Sequence, residues 1–177
     1  MLKYTICFIQ YGDELLLLNR LKSPNMGLWN GIGGKLEANE TPLQSIIREI
    51  AEETGLIVEP DQVQPAGVVR WISSHDDCNE AQSGMYVFYC NLQEEKLHID
   101  TPVAVDEGIL MWKSLSWVLH EHNAGIVDNI QHFLPVILQG NLQLEHIFTY
   151  NDQDELVAYR TKPLEWLAEG SIMSIVK

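Results

Sequence analysis

A glycine turn running into a short helix crowded with carboxylates, residues 34–56, constrains this chain more than any other stretch. Thr41, Pro42 and Gln44 supply an N-cap, a proline at the first helical position and a capping-box partner, while Gly55 stands where a left-handed C-terminal cap belongs. These signals predict a helix from about Pro42 to Thr54. Leu43, Ile46, Ile47 and Ile50 recur at helical spacing and make one apolar face. At roughly 100° per residue, Glu49, Glu52 and Glu53 fall on a neighbouring arc outside that face.

As a purely structural choice the arc is poor. Like charges one turn apart repel, and acids in a last turn oppose the helix dipole. Arg48 offsets part of this through an i,i+4 pair with Glu52. Two readings fit: a solvated acidic face, or a site for a hard divalent cation that takes carboxylate and carbonyl oxygens and holds phosphates. A locally unfavourable cluster without a visible structural return points towards the second.

The spacing Gly34-x5-Glu40-x7-Arg48-Glu49-Ile50-x-Glu52-Glu53-x-Gly55-Leu56 resembles a complete Nudix box, every fixed position being filled. The resemblance implies an α/β (α+β) fold, the Nudix α/β/α sandwich with a central mixed sheet. It also implies a hydrolase of nucleoside diphosphate derivatives that works with Mg²⁺, or Mn²⁺ in its place. The preceding Trp29-Asn30-Gly31-Ile32-Gly33-Gly34-Lys35 resembles the matching segment of MutT-type, oxidised-purine nucleoside triphosphatases, where the asparagine contacts the base.

At 177 residues the chain is long enough for one domain with its own core, and evenly spread charge argues against disorder. The formal charge of -14 repels nucleic-acid backbones and anionic membranes, so a phosphate-bearing substrate must arrive neutralised. Neither nucleic acid nor membrane is therefore an expected partner; a small-molecule nucleotide is. Cys7, Cys78 and Cys90 lack metal-site or redox spacing. Cys7 and Cys90 lie in apolar strand-like runs, where buried free thiols are expected, and a reducing cytoplasm fits. No apolar run reaches the roughly 18 residues that a membrane span needs, and the first residues alternate too much for a signal peptide.

Residues 4–10 and 14–19 read as strands joined by Tyr11-Gly12-Asp13, a hairpin signal, with Leu15, Leu16, Leu17 and Leu18 as a buried strand. Residues 20–26 form a polar loop with Arg20 and Lys22, either solvated or touching substrate phosphate. Beyond the box, residues 62–72 and 84–92 read as strands around a hydrophilic loop at 73–83, a substrate-facing lid rather than a second metal site. Arg70 and Trp71 end the first of these strands, in packing or ligand contact. A strand at 105–113 follows, introduced by Asp106 and Glu107, then a short helical turn at 116–122 and a helix at 125–138 containing Pro135. Residues 142–150 and 155–161 close the domain, 1–161, as a hairpin. Residues 162–177, with Leu164, Trp166, Leu167, Ile172, Met173 and Ile175, form an extension that packs on the domain or on a second subunit, leaving monomer and homodimer both open.

By the family resemblance, Gly33 (through its carbonyl), Glu49, Glu52, Glu53 and Glu107 are the metal ligands. Glu53 or Glu107 is the general base, and Arg48 orients the glutamates. Asn30, Lys35 and Asp128 are the substrate-binding candidates, Asp128 as the acid of the second helix that faces the purine. The implied reaction is hydrolysis of an oxidised-purine nucleoside triphosphate to monophosphate and pyrophosphate, cleansing the nucleotide pool. ADP-ribose or dinucleoside polyphosphate hydrolysis is the alternative, although Arg70, Trp71 and Ile72 stand where those branches carry marker residues. A catalytically silent ligand-sensing domain is a third reading, which a complete box disfavours.

Overall fold

The structure, a computed structural model, describes residues 2–73, 83–93 and 99–164. The strands are β1 (Tyr4–Tyr11), β2 (Glu14–Arg20), β3 (Trp29–Asn30), β4 (Val63–Ser73), β5 (Gly84–Asn91), β6 (Val103–Val105), β7 (Gly108–Ser114), β8 (Leu144–Tyr150) and β9 (Leu156–Pro163). The helices are α1 (Pro42–Thr54), α2 (Leu115–Val118) and α3 (Ile130–Leu138). Among the described residues all strands join one sheet of order β6-β7-β2-β1-β5-β4-β8-β9, with β3 beside β2. The β1–β5 and β4–β8 pairs are parallel and the others antiparallel.

Period-two alternation sorts the side chains of the central strands into two cores. Cys7, Ile9, Leu16 and Leu18 point to one face, where Leu43, Ile46 and Ile50 of α1 cover them. Ile6, Phe8, Leu15 and Leu17 point to the other, against Phe133, Leu134 and Ile137 of α3. The four consecutive leucines are thus buried because their strand is sandwiched, each contributing on the order of 2 kcal/mol. Cys7 and Cys90 are free, buried thiols, as the sequence suggested. No helix among the described residues is long and apolar enough to cross a membrane.

Helix α1 matches the expected span, with the Thr41–Gln44 capping box formed and Gly55 left-handed at φ 73°. The second helix is shorter than its apolar pattern predicted, beginning at Ile130. Residues 125–127 pair with β3 instead: Trp29 N–H donates to Gly125 O at 2.9 Å and Val127 N–H to Trp29 O at 3.1 Å. Tertiary hydrogen bonds have overridden local helical pattern there. The expected strand at 105–113 is a hairpin, turning at Asp106 and Glu107 between β6 and β7. Most of the lid expected at 73–83 and most of the extension at 162–177 lie outside the described residues, although β9 runs to Pro163 and Leu164 is buried on Leu2 and Val68.

Beside the first turn of α3, His146 on β8 is fully buried among rings. It stacks on Tyr159 with centroids 6.0 Å apart and lies 5.8 Å from Phe133. Its Nδ1 meets the Tyr159 hydroxyl at 2.8 Å, and its Nε2 has no partner among the described residues. Burial holds its pKa down at about 4.

Candidate active site

The starts of β1 and β5 and the ends of β2 and β4 meet at one edge of the sheet, a consequence of the β1–β2, β1–β5 and β4–β5 pairings. The glycine turn crosses this edge. Ile32 N–H and O exchange bonds with Cys7, and Gly34 O accepts from Thr5 N–H at 2.9 Å. Gly33 O, between those two, has no partner among the described residues. A side chain at Gly33 would run into Thr5 O, and a Cβ at Gly34 would meet the Glu49 carboxylate at 2.5–2.7 Å. Gly31 is also tight, its Cβ meeting Cys7 O at 2.8 Å, whereas the atoms met at Gly34 are the end of a side chain.

A cleft of about 710 Å³ opens here. One half is charged, lined by Glu49, Glu52, Glu53, Asp106 and Glu107 with Arg20 and Lys35. The other half is an apolar shelf on the α3 side of the sheet, made by Ile6, Met85 and Trp71, and Asn30 also lines the cleft. Asn30 Oδ1 accepts from Gly31 N–H at 2.9 Å.

Arg48 organises the acids. Its guanidinium holds Glu40 with both oxygens, at 2.7 and 3.0 Å, and reaches Glu49 and Glu52 at 2.9 Å each. It also donates to Lys35 O at 3.3 Å, tying helix to turn. The bidentate bond lowers the Glu40 pKa, while its several carboxylate partners raise that of Arg48. Glu53 stands apart from this network. It is 8% exposed and accepts Gly33 N–H at 3.0 Å. Burial raises its pKa to about 7, the Gly33 bond and the Arg20 charge opposing, Glu49 and Glu107 assisting. Burial also raises Glu49, against the pull of Arg48. Glu107 sits in the β6–β7 turn with Lys22 Nζ 3.7 Å away.

The structure therefore brings Asn30, Gly33, Lys35, Glu49, Glu52, Glu53 and Glu107 to one cleft, with Arg48 behind it. It does not bring Asp128 there. That residue precedes α3, and its Oδ1 accepts from Asn129 N–H at 2.7 Å and the Tyr150 hydroxyl at 3.3 Å. Among the described residues no three His, Cys, Asp or Glu side chains form a ready-made metal cage. Arg48 draws Glu49 and Glu52 to itself, and Gly33 draws Glu53. The donor set nonetheless suits a small hard cation. Mg²⁺ needs only one or two carboxylates when phosphates and water complete its shell, and Glu53, buried with a raised pKa, forms no ion pair among the described residues.

The shelf residues Ile6 and Met85 carried no sequence signal, because they join Trp71 only through strand pairing. Arg70, beside Trp71 in sequence, points away from the shelf and pairs with Glu145 at 2.8 Å.

The NUDIX domain family matches residues 1–135, and the chain belongs to the Nudix family. It is 29% identical over 161 residues to an uncharacterised Nudix hydrolase of Bacillus subtilis, covering 91% of this chain and 94% of that one. It is 25% identical over 164 residues to the oxidised purine nucleoside triphosphate hydrolase of Mus musculus, covering 92% and 95%. The mutator MutT protein of Bacillus halodurans superposes with a TM-score of 0.70 at 26% identity, over 92% of this chain and 98% of that one. The chain is thus a Nudix hydrolase acting on a nucleotide derivative, in a family that uses divalent metal ions.

Proposed function

We propose that this hydrolase, with Mg²⁺ or Mn²⁺, converts an oxidised-purine nucleoside triphosphate to the monophosphate and pyrophosphate, and so cleanses a nucleotide pool. The observation that carries the reading is one cleft lined by acids, an apolar shelf and the Asn30 amide. The likeness to the mouse oxidised-purine hydrolase, which spans nearly both chains, supports it.

Gly33 O, Glu49, Glu52, Glu53 and Glu107 are the groups that would hold the cation. Bound there, it supplies Lewis acidity at the phosphoryl oxygens and eases deprotonation of water. Arg20 and Lys35 face the phosphate chain from the same half of the cleft. Glu53 accepts the proton of the attacking water. It is the acid that burial and neighbouring carboxylates leave most in need of a cation or proton, and Glu107, in the β6–β7 turn, is the other carboxylate suited to that work. Arg48 orients Glu49 and Glu52 without touching substrate. Trp71, Met85 and Ile6 receive the flat face of the purine, and the Asn30 amide meets its edge.

The test is a Mg²⁺-dependent screen over ordinary and oxidised purine triphosphates, dinucleotides and ADP-ribose, resolving pyrophosphate from phosphate. Pyrophosphate release with preference for the oxidised purine is expected, and Asn30→Ala should erode that preference about tenfold. Turnover of ADP-ribose or dinucleotides alone would refute the substrate while leaving fold and family intact.

A further inference from the structure

Asn30 belongs to a strand of two residues, too short to hold its own position. Backbone bonds tie this strand to β2 on one side, at Leu18 and Asn19, and, through Trp29 alone, to the segment before α3 on the other. The side chain of its neighbour Trp29 is gripped more firmly. Lys113 Nζ stands 4.3 Å above the Trp29 ring and 4.8 Å from the Trp117 ring. The two indoles are edge to face at 6.5 Å and 85°. Among the described residues Lys113 has no carboxylate partner, so the aromatic faces are its counter-charge.

Each member of this clamp comes from a different element. Lys113 is on β7, opposite Leu15 of the central β2. Trp117 is on α2, whose N-terminus is capped by Ser114. The Trp117 carbonyl accepts Asn123 Nδ2 at 2.8 Å, Asn123 Oδ1 accepts Gly125 N–H at 3.0 Å, and Gly125 O accepts Trp29 N–H. A closed ring of contacts therefore runs from Lys113 through Trp117, Asn123 and Gly125 to Trp29 and back. Asn30 is the residue directly outside that ring, on the cleft.

We infer that Lys113 is a positioning residue for base recognition: its ammonium, clamped between Trp29 and Trp117, fixes the short strand that presents Asn30 to the purine edge. The inference rests on the role proposed above for Asn30. Lys113 does not line the cleft, so its effect must pass through β3.

The test compares Lys113→Met, which keeps the apolar stem, with Lys113→Arg, which keeps a stacking cation. Hydrogen exchange in the intact protein should quicken about tenfold at the Trp29 and Val127 amides in Lys113→Met and return to wild type in Lys113→Arg. In kinetics, Lys113→Met should raise KM for the oxidised purine triphosphate about tenfold with kcat unchanged, narrowing its advantage over the ordinary one; Lys113→Arg should restore it. Unchanged exchange at both amides overturns the clamp whatever the substrate. Quickened exchange with an unchanged preference, in a protein whose preference does respond to Asn30→Ala, overturns the positioning role. A preference insensitive to Asn30→Ala defeats the base reading instead, and the positioning role with it, while the exchange result still decides whether the clamp exists. Trp117→Leu, which removes one ring face, repeats the exchange arm should Lys113→Met fail to fold, with the same quickening expected and unchanged exchange overturning the clamp.

Discussion

Glu53 and His146 are both titratable side chains that the fold has taken out of water, and burial is the main cause of both pKa shifts. Their surroundings are otherwise opposed. Glu53 has further acids beside it, one backbone donor, and a cleft of about 710 Å³ on its open side. His146 is enclosed by Phe133 and Tyr159, with one nitrogen on a hydroxyl. Burial beside like charge and next to open space leaves an acid needing a cation. Burial inside an aromatic nest leaves a neutral imidazole serving as a packing plate. A perturbed pKa separates function from structure only when its neighbours are counted too.

Three measurements sharpen or break that contrast. The largest effect is expected in catalysis: Glu53→Gln should cut Mg²⁺-dependent pyrophosphate release about a thousandfold, while His146→Phe should leave it within about twofold. Near-wild-type release in Glu53→Gln would mean the metal-site assignment is wrong. The next effect is on the stability of the metal-free protein. The folded His146 pKa of about 4 lies below its ordinary 6.5, so the unfolded chain binds its proton first. Stability present above pH 6.5 is then lost as pH falls towards 4, at about 1.4 kcal/mol per pH unit. The folded Glu53 pKa of about 7 lies above its ordinary 4.5, so here the native state binds the proton first and stability is lost as pH rises from 4.5 to 7. Between pH 4.5 and 6.5 the two slopes nearly cancel, and denaturant titrations of the single variants should expose them. Glu53→Gln should lose stability on acidification and His146→Phe should gain it, and parallel slopes in the two would refute the contrast. The smallest effect concerns the cation. At pH 7.5, saturating Mg²⁺ should stabilise the wild type by about 1–2 kcal/mol and Glu53→Gln by less, read as a shift in the urea midpoint.

Much of the charged half of this contrast was legible in the sequence, and almost none of the aromatic half was. Helix α1 announces itself because its signals are local: Thr41, Gln44 and Gly55 each act within one turn of the residues they cap. Glu49, Glu52 and Glu53 then follow from helical spacing alone. The shelf of Ile6, Met85 and Trp71 comes together through strand partners distant in sequence, which composition and periodicity do not reveal. The same holds for His146 and for the Lys113 clamp. The misplaced start of α3 has the same origin, since residues 125–127 satisfy their backbone through β3. Asp128 follows that segment directly, ahead of α3 rather than within the helix.

The contact between Gly34 and Glu49 gives the box a meaning that its letters hide. The space where a Cβ would stand at Gly34 is occupied by the carboxylate of a residue one helix away. Glu40, midway between them in sequence, grips the arginine that steadies that same carboxylate. The fixed intervals of the pattern are thus a folded object written out flat. A side chain at Gly34 would push that carboxylate aside, so a change there should be felt at the acid, though glycine carries no chemistry of its own.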